Sequence, residues 1–159
     1  MKEHDDKFEK LKWIRLIYPD VIPKYLVEQL KHREFEVEDF YTFHNLNCLI
    51  ETEEGKALNP FNHLYAIVDD QRVVKGFLWF TVDPLGKNIF INNFSMDNEY
   101  WYGGKAVKLA AKKVKEVMKE AKIKKSYWLT RYPKHSERYG FSQAKDTLME
   151  YTEEETCQE

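Results

Sequence analysis

Between Gly104 and Ile123, the apolar residues Val107, Ala110, Ala111, Val114, Val117, Met118 and Ala121 recur at intervals of three and four. That period predicts an amphipathic helix over 104–123 with one face in a core. Its opposite side carries Lys105, Lys108, Lys112, Lys115 and Lys119, ordinarily a solvated face. Upstream the pattern is that of strands. Residues 64–68 form a short apolar run, 69–72 a polar turn, and 73–82 a longer run rich in β-branched and aromatic residues, which together predict a hairpin. Asp83-Pro84-Leu85-Gly86-Lys87 carries the proline and glycine of a second turn, so 88–96 is expected to return antiparallel and complete a meander. Gly76, inside a strand pattern, marks a bulge or a close approach of two backbones.

The N-terminal third is less regular. Residues 13–18 predict a first strand, and Val21, Ile22, Tyr25, Leu26 and Leu30 have helical spacing over 21–33, where Pro23 is tolerated in a first turn. A short helix fits 37–47, and 55–62 reads as loop because Gly, Asn and Pro interrupt every period. After the long helix, 126–130 predicts a strand, 134–139 a turn of helix and 141–152 a last strand. Residues 1–152 are expected to form one domain and 153–159 a flexible acidic tail. This order predicts an α+β (α/β) fold, with a mixed, mostly antiparallel central sheet and flanking helices. The strand-helix-strand unit after Asn88 places its two strands in parallel, and such a pair can splay where the first strand ends.

Composition narrows the classes. In 159 residues, 43% hydrophobic and 15% aromatic, there is enough apolar surface for one substantial core. Twenty-five basic against 27 acidic side chains give a net charge of -2, which makes nucleic acid an unlikely partner except through a local patch. No apolar run approaches a membrane span, so no membrane partner and a cytoplasmic location are expected. Cys48 and Cys157 are the only cysteines, and reduced thiols are the default. His44 and His63 have no neighbouring ligand pattern, so no metal is assigned.

The candidate chemistry lies where the predicted strand 88–96 leads through Gly103-Gly104 into the long helix. Glycines permit close backbone approach, and the first-turn amides of a helix favour anionic oxygens. On spacing alone the pair reads first as a glycine turn that merely starts a helix, since two adjacent glycines are a weak signal.

Trp101-Tyr102-Gly103-Gly104-Lys105-Ala106 resembles the acyl-coenzyme A loop of the GNAT acyltransferase superfamily, whose pattern is Gln/Arg-x-x-Gly-x-Gly/Ala. The lead-in from Met96 to Tyr100, the hairpin over 66–80, and Ser136-Glu137-Arg138-Tyr139-Gly140-Phe141, similar to the family's late Tyr-x-x-hydrophobic-Gly-Phe signature, extend the likeness to about residues 64–151. The resemblance implies a GNAT-like fold with a splayed parallel strand pair and acetyl-CoA as co-substrate. It implies that the main chain around Phe94, Ser95 and Met96 pairs with the pantetheine arm. The amides of Trp101, Tyr102, Gly103, Gly104, Lys105 and Ala106 would hold the pyrophosphate.

Four residues depart from the family pattern. Trp101 replaces the long polar residue of the loop, and its indole either covers the ligand or packs on Tyr100 or Tyr102. Asn92 and Asn93 stand where a carboxylate base is common, and Ser136 where a tyrosine often protonates the leaving thiolate. Tyr139, Tyr132 and His135 are the other acid or base candidates beside Ser136, and Glu99 reads as a helix-start charge. The expected function is acetyl transfer to an amine of a small molecule or protein by direct attack. The alternatives are a catalytically inactive GNAT-fold binding or structural module and, more weakly, a nucleic-acid surface on the lysine-rich stretch; a homodimer is left open.

Overall fold

A computed structural model of the chain describes residues 2–16, 24–32, 48–101, 104–128, 133–138, 140–145 and 149. The elements are α1 (Lys2–Glu9), β1 (Lys12–Arg15), α2 (Lys24–His32), β2 (Leu49–Thr52), β3 (Gly55–Leu58), β4 (Asn62–Val68), β5 (Val74–Asp83), β6 (Asn88–Met96), α3 (Lys105–Glu120), β7 (Lys125–Trp128) and α4 (Pro133–Glu137). A single 3-10 turn, Asn98–Tyr100, follows β6. Five strands form one sheet in the order β1-β4-β5-β6-β7, and β2 pairs with β3 in a separate hairpin. Pairing is antiparallel except between β6 and β7. This is the mixed, mostly antiparallel sheet that the pattern predicted, including its parallel pair.

Alternation along the strands divides the core between the two faces of the sheet. Tyr65, Ile67, Leu78, Phe80, Ile89 and Ile91 point to the face covered by α3, meeting Ala106, Ala110, Val114 and Val117. Phe8 and Leu11, in and after α1, pack against the same cluster. Leu64, Phe77 and Trp79 point the other way and meet Tyr25, Leu26 and Leu30 of α2. The lysine side of α3 is solvated, with Lys108, Lys112, Lys115 and Lys119 exposed. Lys113 instead lays its ammonium 4.8 Å from the Tyr65 ring centroid and 5.8 Å from that of Trp13, a cation-π contact that joins α3 to the sheet.

Two irregularities shape the sheet. Ile67 pairs with Gly76 and Val68 with Val74, so Lys75 is an extra residue on β5. Gly76 itself lies so close to β6 that a Cβ there would stand 2.4 Å from the Ser95 carbonyl oxygen and from Met96 Sδ. Both readings of that glycine therefore hold, the bulge at its neighbour and the close approach at the glycine. Farther along, Trp79 pairs with Asn93 and Phe80 with Ile91, which makes Asn92 a bulge residue on β6. The inward residues shift phase there, from Ile89 and Ile91 before the bulge to Phe94 and Met96 after it.

The structure corrects two expectations and adds one helix. Residues 55–62 are not a loop throughout: Leu49–Thr52 and Gly55–Leu58 pair antiparallel, helped by the positive φ of Gly55 (118°) and by Thr52 Oγ1, which donates to the Gly55 carbonyl at 2.7 Å. The strand expected over 141–152 is not formed at 141–145 or at 149. The helix α1 had no counterpart in the pattern. The expected strand at 17–18, the helix over 37–47 and the tail 153–159 lie outside the described residues. Among the described residues no helix is long and apolar enough to cross a membrane.

Gly76→Ala forces its methyl into β6 backbone and not merely into a movable side-chain tip. It is expected to destabilise the fold by about 1–3 kcal/mol, read as a lower denaturation midpoint. An unchanged midpoint would contradict the close approach.

Candidate functional site

The site begins as a strand edge. The Asp97 amide donates to the Lys75 carbonyl at 2.7 Å, so Asp97 and Lys75 form a hydrogen-bonded antiparallel pair. Hydrogen-bonded and non-hydrogen-bonded pairs alternate. Met96 opposite Gly76, and Phe94 opposite Leu78, are therefore non-hydrogen-bonded pairs whose N–H and C=O groups point away from β5. Such pairs are the closer-spaced kind, which accounts for the glycine at 76. β7 accompanies β6 only over Asn88–Ile91, its described residues ending at Trp128 beside Ile91. Past the Asn92 bulge, β6 presents the outward backbone groups of Phe94 and Met96 on that edge.

The chain then turns back over this edge. The 3-10 turn Asn98–Tyr100 delivers Trp101, whose indole Nε1–H donates to the Met96 carbonyl at 3.0 Å and whose ring meets Phe94 edge-on at 5.6 Å between centroids. Among the described residues the indole thus packs on Phe94 and not on Tyr100. Three residues on, Gly104 precedes α3 in the left-handed region at φ 69°, where a side chain is strained. Gly104 has no side chain with which to cap the first turn, and the Lys105 and Ala106 amides lie in that turn. Glycine at this point puts no side chain over that helix end, and the helix dipole favours an anion there.

Helix α1 and a charge network hold this corner. Phe8 meets Tyr100 edge-on at 5.3 Å, and Lys105 Nζ lies 6.0 Å from the Phe8 ring centroid. Glu99 pairs with Lys75 at 3.2 Å and with Lys7 at 3.4 Å. The hydrogen bond from Lys75 chiefly, against some desolvation, holds the Glu99 carboxyl below its usual range. Glu99 is therefore a paired helix-start charge, as expected. Asp97 accepts a hydrogen bond from the Tyr25 hydroxyl and pairs with Lys24 at 3.2 Å and Lys75 at 3.8 Å, fastening α2 to the residue after Met96. Burial first, and that bond to Asp97 second, push the Tyr25 phenol well above its ordinary pKa.

The face of the sheet beneath α2 carries amides. Asn62 Oδ1 accepts from Trp79 Nε1 at 2.9 Å, and Asn62 Nδ2, buried, has no hydrogen-bond partner among the described residues. Asn93 is buried opposite Trp79, and Asn92 Nδ2 lies 3.4 Å from both Thr81 Oγ1 and the Phe90 carbonyl oxygen. None of these side chains is a base. Ser136 is buried in α4, with 8% of its surface exposed. Tyr102, Gly103, Tyr132 and Tyr139 lie outside the described residues, as does the His135 side chain. A different cleft, of about 610 Å³, is lined by Lys115, Lys124, Lys125, Phe141 and Lys145. It adjoins the start of β7, which pairs with Asn88, and so lies at the other end of β6 from Met96.

His63 belongs to the core. Its ring stacks on Phe80 at 4.7 Å, Nε2 lies 2.8 Å from the Pro60 carbonyl, and Nδ1 lies 3.1 Å from the Tyr65 hydroxyl. A carbonyl only accepts, so in the neutral ring Nε2 carries the proton and Nδ1 accepts from Tyr65. Burial, with Arg15 and Lys113 nearby, pushes the His63 pKa down to about 4.

No family model matches the sequence, and no curated protein matches it. Solved structures do share its fold. One described as a possible acetyltransferase from Clostridium difficile superimposes with a TM-score of 0.64 at 12% identity, over 89% of this chain and 97% of that one. An aminoglycoside acetyltransferase from an uncultured soil metagenomic sample, solved with sisomicin, has a TM-score of 0.60 at 12% identity, over 92% and 97%. AAC(6')-Iy, solved with the bisubstrate analogue CoA-S-monomethyl-acetylneamine, has a TM-score of 0.57 at 9% identity, over 90% and 98%. The chain has the fold of these acetyltransferases, the GNAT-like fold that its loop and hairpin implied.

Because its folded-state pKa lies below the ordinary value of 6.5, His63 takes up its proton more readily when unfolded. Stability is therefore expected to fall by up to about 3 kcal/mol as pH drops from 6.5 towards 4. His63→Gln should lack that component. Equal pH slopes for wild type and variant in chemical denaturation would contradict the assignment.

Proposed function

We propose that the protein transfers an acetyl group from acetyl-CoA to an amine. The single observation that carries this reading is the outward-facing backbone of Phe94 and Met96 beside a glycine-started helix. An extended ligand with amides pairs with such an edge as an added strand would. Its phosphates suit the helix start, where Gly104, Lys105 and Ala106 supply backbone and no capping side chain competes. These residues fit the donor, with Trp101 as the group that already occupies part of the edge.

Acetyl-CoA supplies an activated thioester, an electrophilic carbonyl with a thiolate leaving group. The chain supplies position and charge stabilisation. An N–H on the open edge of β6 suits a developing oxyanion, a donor worth about 3 kcal/mol in comparable sites. The acceptor amine, with an ordinary pKa of about 10.4, must lose a proton before it attacks. No side chain over residues 91–94 can take that proton, so it passes to water or to one of the candidates in the segment that follows β7 in the chain, Ser136, His135 and Tyr139. The amides of Asn62, Asn92 and Asn93 on the face beneath α2 carry no charge with which to attract or deprotonate a polar amine. Those asparagines, together with Ser136, favour a second reading, a GNAT-fold module that binds a coenzyme A ligand without turnover.

Calorimetric titration with acetyl-CoA tests the donor site. Binding below millimolar concentration is expected, weakened about tenfold or more by Gly104→Val, which strains a left-handed residue and adds a side chain at the helix start. No binding at millimolar ligand would overturn the proposal. Thiol release only when a primary amine such as sisomicin or a lysine peptide is added selects the enzyme over the binding module; saturable binding with no release from any amine selects the module.

A further inference from the structure

We infer that Trp101 sets the affinity for the acyl donor by acting as an internal stand-in for its amide arm. The inference rests on the donor reading above. The Met96 carbonyl belongs to a non-hydrogen-bonded pair and points away from β5, so it is an acceptor that the sheet leaves to a ligand. An arm lying along this edge must donate an amide N–H to that oxygen. The Trp101 indole N–H already does so at 3.0 Å, while the ring lies across Phe94, the other residue of the open edge.

A buried carbonyl without a partner is costly, so the indole stabilises the free protein. The same contact competes with the ligand, because one oxygen in this geometry cannot serve the arm while the indole covers it. The ring is able to leave: Trp101 is 43% exposed and, among the described residues, is tethered by one side-chain hydrogen bond and one ring contact. Opening exchanges the indole N–H for the arm's amide N–H on the same oxygen. A ligand that lacks the arm has no need to displace it.

Trp101→Phe separates these effects, since it keeps an aromatic ring against Phe94 and removes only the donor. Two probes are titrated calorimetrically: acetyl-CoA, which carries the amide arm, and adenosine 3',5'-bisphosphate, which does not. The variant is expected to bind acetyl-CoA about three- to tenfold more tightly than wild type, with affinity for the bisphosphate unchanged. Tryptophan emission gives a second measurement on the unaltered protein. Acetyl-CoA should shift wild-type emission to the red as the indole moves into water, with no such shift in Trp101→Phe or with the bisphosphate.

Unchanged or weaker binding of acetyl-CoA by the variant would overturn the inference while leaving the donor site standing. Equal tightening for both probes would also overturn it, because the arm would not be what competes. If neither protein binds acetyl-CoA at millimolar concentration, the donor reading fails and the inference with it.

Discussion

The closely spaced pair of Met96 and Gly76 is the contact on which the candidate site depends. In an antiparallel sheet a residue directs both its backbone groups either to its partner or away from it. Because Asp97 is bonded to Lys75, Met96 and Phe94 direct theirs away, towards an edge that β7, among the described residues, accompanies only as far as Ile91. The Asn92 bulge separates the length of β6 that serves the sheet from the length that serves the edge. It also keeps Phe94 and Met96 in the core beneath α3, so their outward-directed backbone groups belong to an anchored strand.

The surroundings hold that strand end from three directions. α1 brings Lys7 to Glu99 and Phe8 to Tyr100. α2 brings Tyr25 and Lys24 to Asp97, and β5 brings Lys75 to both carboxylates. Individually, exposed ion pairs contribute little. Here several share partners around two carboxylates and fix the direction in which the chain leaves β6, which decides where Gly104 and α3 begin. The chain shares its fold with the acetyltransferases compared at 9–12% identity.

Much of this was legible in the order of residues. The 3.6 period of α3 and the two hairpin turns were strong signals because each is local. The Asn92 bulge is visible in retrospect as the slip from Ile89 and Ile91 to Phe94 and Met96, a change of phase that was not used as a signal. α1 was missed because the segment Lys2–Glu9 is mostly charged and its contact with the site is made by Lys7 and Phe8 at its end. The β2-β3 hairpin was hidden by a short, polar sequence around Gly55. The position of the Trp101 indole had no sequence signal, since it follows from a 3-10 turn that carries the ring back over a carbonyl five residues earlier. The loop's family likeness drew attention to Trp101 as a replacement; only the fold shows what the replacement touches.

Residue-resolved amide hydrogen exchange over β6, with and without acetyl-CoA, tests the central claim most directly. In the free protein the Phe94 and Met96 amides should exchange faster than those of Ser95 and Asp97, which face β5, and acetyl-CoA should slow Phe94 and Met96 selectively. Equal protection along residues 94–97 in the free protein, or protection by acetyl-CoA that falls elsewhere and spares Phe94 and Met96, would contradict the account.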